Sequence, residues 1–277
     1  MVNRSPARIV CPKMPLLELA LLTHSLVAHG QLDLGHLGHA LAAPVHTLRA
    51  AASTRPGPEP FTYTSEARGG AVQWDPGAPA TKATEKLLDL AEAIDDTRTD
   101  TTYSHSTRVR RKEGLYHFDC SGMLNWMLAR VDKKALETLD RERPVAATYV
   151  RTIQKAPTTR ARRGWQQVAD IEDVEPGDLF SWRRPPNWPK GGNTGHVGIV
   201  IARPAPVAHI ENAYLVRVID STRYKHQDDT RGPDETGFGM GTILFMTDDD
   251  RHPIGYAWHG ADSSGFYRTD VAFGRIH

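Results

Sequence analysis

Asp119-Cys120-Ser121-Gly122 stands directly before a run in which Leu124, Met127, Leu128 and Val131 recur at helical spacing. A thiol is therefore expected at the start of a helix. Downstream, Gly195-His196-Val197-Gly198-Ile199-Val200 reads as a buried strand headed by an imidazole. The flexible Gly191-Gly192-Asn193-Thr194 precedes it. A strand edge exposes a side chain while the sheet fixes its backbone, as a proton-transferring histidine requires.

Upstream of the thiol, Leu87, Leu90, Ala91 and Ile94 predict a helix from about Thr81, and a third, weaker helix covers Pro144 to Gln154. The periodicity then changes. After the turn Glu175-Pro176-Gly177, strands are expected over Asp178 to Trp182, Val197 to Ile201, Tyr214 to Asp220 and Thr242 to Met246. The last follows the glycine-rich Gly237 to Gly241. Helices first and strands afterwards predict an α+β domain, its N-terminal helices packed on an antiparallel sheet. Ser53 to Ala80 is rich in Pro, Gly and Thr and reads as a linker or long surface loop. The expected organisation is an N-terminal extension over 1–80 and one domain over 81–277.

The 277 residues are 39% hydrophobic and 24% charged, with a formal net charge of +1. This composition fits a globular protein and gives no electrostatic footprint for nucleic acid, so no nucleic-acid partner is expected. The arginines around Arg108-Arg110-Arg111 and Arg160-Arg162-Arg163 read as solvated surface. Cys11 and Cys120, far apart in sequence, are expected as free thiols. No apolar run reaches eighteen residues, so no transmembrane segment is expected. Met14 to Val27 loosely resembles an export signal, with Ala40-Leu41-Ala42 as a cleavage site, but Glu18, Thr23 and His24 interrupt it. We read a short amphipathic helix ending near Gly30. His24, His29, His36, His39 and His46 lack carboxylate or cysteine partners at matching spacing, so no metal and no cofactor are expected.

A cysteine attacks as its thiolate, and a helix N-terminus and a nearby imidazolium both lower its pKa. Cys120 is the expected nucleophile and His196 the base, which passes the thiol proton to the leaving amine. Asp220, ending the strand after that of His196, is expected to hold the second ring nitrogen, with Glu211 and Asn212 as weaker candidates. The Cys120 and Ser121 N–H groups are expected oxyanion donors, joined by the Tyr103 hydroxyl in preference to that of Tyr116. Gly122 would leave room for a substrate carbonyl. Asp119, Trp182 and Gly195 complete the expected substrate contacts.

Phe118-Asp119-Cys120-Ser121-Gly122, Glu175-Pro176-Gly177-Asp178-Leu179 and Gly195-His196-Val197-Gly198-Ile199-Val200 together resemble the NlpC-type papain-like cell-wall peptidases, in order and placement. The resemblance runs from about Thr81 to the C-terminus. It implies a papain-like domain, hydrolysis of amide bonds in peptidoglycan stem peptides through a thioester, and a periplasmic or extracellular setting. An aspartate stands where the family commonly has a histidine as third residue. The family's Tyr-x-x-Gly-Gly segment is missing. Arg183 to Lys190 and Tyr224 to Gly241 read as insertions flanking the cleft. Two other readings use the same residues: an amidase or acyltransferase with another substrate, and a non-catalytic wall-binding module.

Overall fold

The computed structural model describes residues 57–62, 72–189 and 191–277. Every described residue belongs to one compact unit, Ala51–His277. The signal-like segment, the five N-terminal histidines and Cys11 lie outside the described residues.

Four α-helices and twelve strands are described. The first part of the unit contains α1 (Lys82–Thr97), β1 (Asp100–Tyr103), β2 (Arg108–Arg110), β3 (Leu115–Phe118), α2 (Cys120–Val131), α3 (Lys133–Thr138) and α4 (Ala146–Gln154). Strands follow: β4 (Trp165–Val168), β5 (Leu179–Arg183), β6 (Gly195–Val200), β7 (Ala205–Pro206), β8 (Ala213–Thr222), β9 (Gly237–Thr247), β10 (Pro253–Ala257), β11 (Tyr267–Arg268) and β12 (Val271–Ile276). The main sheet runs β11-β10-β9-β8-β6-β5-β12-β4, with β7 on β8. Its pairings are antiparallel. β10 also touches β12, although four strands separate them in the order, so the sheet curls back on itself.

Thr81 caps α1 by accepting the Thr84 N–H, and the expected stripe buries Leu87, Ala91 and Ile94. That stripe, with Leu124, Met127 and Leu128 of α2 and Tyr149 of α4, covers one sheet face through Leu179, Val197, Ile199 and Ala272. The opposite face gathers Phe180, Val216, Val218, Phe245 and Phe273 inside the curl. Each such side chain, fully buried, stabilises the fold by about 1.5–3 kcal/mol. The α+β arrangement of helices on an antiparallel sheet is the one the sequence predicts.

Three features differ from expectation. Two strands pair around β3, one of them parallel, in a small sheet between α1 and α2. The glycine-rich stretch lies within β9 rather than before it. The described part of 57–80 is largely exposed but attached to the domain at a few points, and the unit begins before residue 81. Glu59 bridges to Phe266, Phe61 stacks on the Phe266 ring at 6.4 Å, and Arg203 reaches Asp75 at 3.2 Å. Prolines prevent regular structure there, and among its described residues only Phe61 is buried.

Candidate functional site

The site begins with the cap of α2. Asp119 Oδ1 accepts the Gly122 N–H at 2.7 Å and the Ser121 hydroxyl at 3.1 Å. Its Oδ2 meets His105 Nδ1 at 2.9 Å and Arg143 at 3.2 Å. This corrects three expectations. Asp119 is a buried helix cap whose oxygens are already occupied, not a substrate contact. The Ser121 hydroxyl is bound to that cap, and its N–H, expected as an oxyanion donor, lies toward the Cys120 sulfur instead. Gly122 makes room for the cap: a Cβ there would come 2.6 Å from Thr107 Oγ1 and 3.0 Å from Asp119 Oδ1.

Cys120 opens α2 where the sheet separates. β6 and β8 pair only at Ile199↔Ile219 and Val200↔Val218. Beyond that the ladder ends, and the Val197 and Ser121 N–H groups lie near enough to the Cys120 sulfur to favour its thiolate. The sulfur thus lies near the residue that follows His196.

The His196 Nε2 lies 2.5 Å from Asp220 Oδ2. Asp220 is fully buried and its charge is stabilised by three neighbours. Burial alone would raise its carboxyl, but His226, Arg231 and His196 hold it well below the usual carboxylate range. An ionised carboxylate only accepts, so His196 Nε2 carries the proton and Nδ1 keeps a lone pair. That is the tautomer of a general base. Sequential strands β6 and β8 are neighbours, and Val216, Val218 and Asp220 share one face, as expected.

The thiol itself runs against expectation. Burial pushes Cys120 up to about 12, with Asp119 and Asp220 adding to the rise and the Ser121 and Val197 N–H bonds opposing it. Burial also lowers His196, against the pull of Asp220. At rest the pair is a neutral thiol and a neutral imidazole, because removal from water outweighs the helix N-terminus.

Tyr103 stands at the end of β1, half-buried. Burial raises its hydroxyl, and the charges of Cys120, Asp119 and Asp220 add to the effect. The Arg223 guanidinium lies over its ring, 5.2 Å from the centroid. Tyr116 is buried elsewhere, with its hydroxyl 3.0 Å from Thr97 Oγ1.

Trp182 is not a cleft-lining side chain. It is 2% exposed, stacked on Tyr256 at 4.0 Å with the His196 ring 5.1 Å away, so it supports that ring from within the sheet. Gly195 is half-buried and has φ +131°, where a Cβ would collide with the Trp182 carbonyl oxygen. Its role is to let the chain enter β6 tightly against β5.

Three residues of the site were not found from the sequence. His226 Nε2 reaches the same Asp220 Oδ2 at 2.7 Å, and Arg231 bonds to Asp220 Oδ1. The half-buried Trp258 covers both histidines, its ring 4.3 Å from His226 and 5.1 Å from His196. His226 and Arg231 lie in the segment read as a cleft-flanking insertion, which instead sends side chains beneath Asp220. The alternating glycines of β9 were the available signal. A Cβ at Gly239 would come 2.7 Å from Arg231 Cγ, and one at Gly241 2.6 Å from His226 Cβ.

His196, Asp220 and His226 also place three potential metal-ligand atoms within 4.8 Å of one another. Contacts of 2.5 and 2.7 Å are hydrogen-bond lengths, whereas ligands around a tetrahedral zinc stand roughly 3 Å or more apart. Arg231 on the same carboxylate further disfavours a cation. The donor set fits a hydrogen-bonded network better than a metal centre.

Comparison with known proteins adds one relative. No family model and no solved structure matches the chain. The uncharacterized protein R653 of Acanthamoeba polyphaga mimivirus is 31% identical over 172 residues, covering 55% of this chain and 73% of the viral protein. At that identity and coverage, the chain belongs to the same family as this mimivirus protein.

Proposed function

We propose that the chain is a papain-like cysteine hydrolase that cleaves amide bonds of peptidoglycan stem peptides in the cell envelope. One observation carries the chemistry: a helix-initial thiol lies near the backbone N–H that follows His196, whose Nε2–H is committed to a buried carboxylate. The substrate class rests on the three motifs that resemble the NlpC-type peptidases. Among the described residues no helix is long and apolar enough to cross a membrane.

Cys120 Sγ attacks the amide carbon as its proton passes to His196 Nδ1. The Cys120 N–H and the Tyr103 hydroxyl hold the oxyanion. His196 returns the proton to the departing nitrogen, and the C–N bond breaks to leave a thioester. Water then attacks, giving its proton to His196. The carbonyl re-forms with loss of the sulfur, which recovers that proton. Asp220 stabilises the imidazolium at each transfer.

Incubation with purified muropeptides, read by mass spectrometry, tests this. The wild type is expected to release a shortened stem peptide and Cys120→Ala to release none. Unchanged muropeptides with folded wild type overturn the reading.

The raised thiol favours a second reading. A buried, protonated cysteine is also what an inert site contains. On that reading the domain binds wall fragments without cutting them, and wild type and Cys120→Ala retain muropeptides equally.

A further inference from the structure

The segment between β8 and β9 is fastened to β9 by the Thr230 N–H to the Met240 oxygen and by the Thr242 N–H to the Gln227 oxygen. It buries His226 and Arg231. Asp229 organises it, accepting the His226 N–H at 2.8 Å and bonding to Arg231 Nη1 at 2.8 Å. Arg231 Nε donates to the Gly237 oxygen at 2.8 Å, and Nη2 to the Asp220 oxygen at 2.9 Å. None of these side chains is more than 2% exposed: Asp220, His226, Arg231 and Asp229.

The two ring nitrogens of His226 both face acceptors. Nδ1 lies 3.1 Å from the Trp258 carbonyl oxygen and Nε2 2.7 Å from Asp220 Oδ2. Both bonds form together only when both nitrogens carry protons. Two buried carboxylates, Asp220 and Asp229, then stand against two buried cations, Arg231 and His226. An isolated buried charge is very costly, whereas a paired and fully hydrogen-bonded set is tolerated.

The structure assigns His226 and Arg231 as positioning residues that act through Asp220, closing a charge-balanced cluster so that His196 stays neutral with a free Nδ1 lone pair. Their service to catalysis rests on the hydrolase reading; the protonation pattern does not. With Asp220 already neutralised, His196 has no charge to complete, and its proton affinity stays low enough to release a proton in each half-reaction. Two other ionisable groups lie near Asp220: Cys120 of α2 and Tyr103 of β1.

Long-range proton–nitrogen NMR of the histidine-labelled full chain tests the assignment without needing turnover. In wild type at pH 7, His226 is expected with both ring nitrogens protonated and His196 as the neutral Nε2–H form. His226→Gln keeps a neutral donor to Asp220 but removes the charge. The His196 titration midpoint should then rise by roughly one pH unit, the scale expected when a neighbouring cation is lost. A purely space-filling role would leave that midpoint in place. A singly protonated His226 in wild type overturns the proposal, whether or not the variant folds, and so does an unmoved midpoint in folded His226→Gln. The muropeptide assay is separate: absent hydrolysis with the expected spectrum sinks the hydrolase reading alone.

Discussion

His196 and Asp220 are joined by a 2.5 Å hydrogen bond from which water is excluded, because Asp220 is fully buried and His196 is covered by Trp258. The bond sets which ring nitrogen carries a proton. Asp220 is also the shared counter-charge of His226 and Arg231. Asp220→Asn replaces a charged acceptor with an amide that can present its NH2 to the ring and invert the tautomer. A kcat loss of roughly 10³–10⁴-fold is expected on muropeptides. The same variant strips His226 and Arg231 of their anion, so thermal unfolding should show a loss of about 3–5 kcal/mol. Full activity in Asp220→Asn would remove Asp220 from the mechanism.

The lowered His196 predicts the acid side of the pH profile. Its ordinary value is 6.5, burial brings it down, and the base works only when neutral. The acid limb of kcat/KM should therefore lie below pH 6.5. Stability changes in the same direction. Between the folded and unfolded values of His196 the unfolded chain binds more protons, so stability falls as pH drops below 6.5. Asp220, held well below 3.8, contributes stability above that pH and loses it on further acidification. Denaturant titrations from pH 8 to pH 3 check both ranges. An acid limb above pH 6.5 would contradict the neutral cluster.

Cys120, pushed up to about 12, should react slowly with iodoacetamide at pH 7 and faster as pH rises through the alkaline range. In urea, with burial removed, its rate at pH 8 should approach that of a free thiol. Intact-mass kinetics on wild type distinguish this from a preformed thiolate–imidazolium pair. Such a pair would show a fast plateau already near pH 6.

The chain's local patterns made the helices and the central strands legible. Leu87, Ala91 and Ile94, and then Leu124, Met127 and Leu128, carry the helical period in their apolar positions. β8 carried enough alternation to place Asp220 on the face of Val216 and Val218. What the sequence hid was tertiary. Asp119 looks the same as a substrate ligand and as a cap until Gly122, His105 and Arg143 are placed around it. Trp182, ending an expected strand beside a proline-rich insertion, read as a substrate contact, but its strand partner His196 and its stacking partner Tyr256 come from distant segments and bury it. The thiol's burial depends on β6 and β8 parting company, which no local pattern encodes.

The glycines of β9 test whether the inserted segment belongs to the site. Gly241→Ala would place a methyl carbon 2.6 Å from His226 Cβ, and Gly239→Ala would place one 2.7 Å from Arg231 Cγ. Neither neighbour can swing aside cheaply. Arg231 is held by bonds to Asp220, Asp229 and the Gly237 oxygen, and His226 by Asp220 and Trp258. Each substitution should cost about 1–3 kcal/mol in denaturant unfolding, the usual range for overpacking. Each should also lower muropeptide cleavage by displacing the groups beneath Asp220. Gly191→Ala is the control, since a Cβ there meets nothing within 4 Å, and its stability should stay within about 0.5 kcal/mol of wild type. If Gly241→Ala and Gly239→Ala unfold and react like Gly191→Ala, the segment does not support the site.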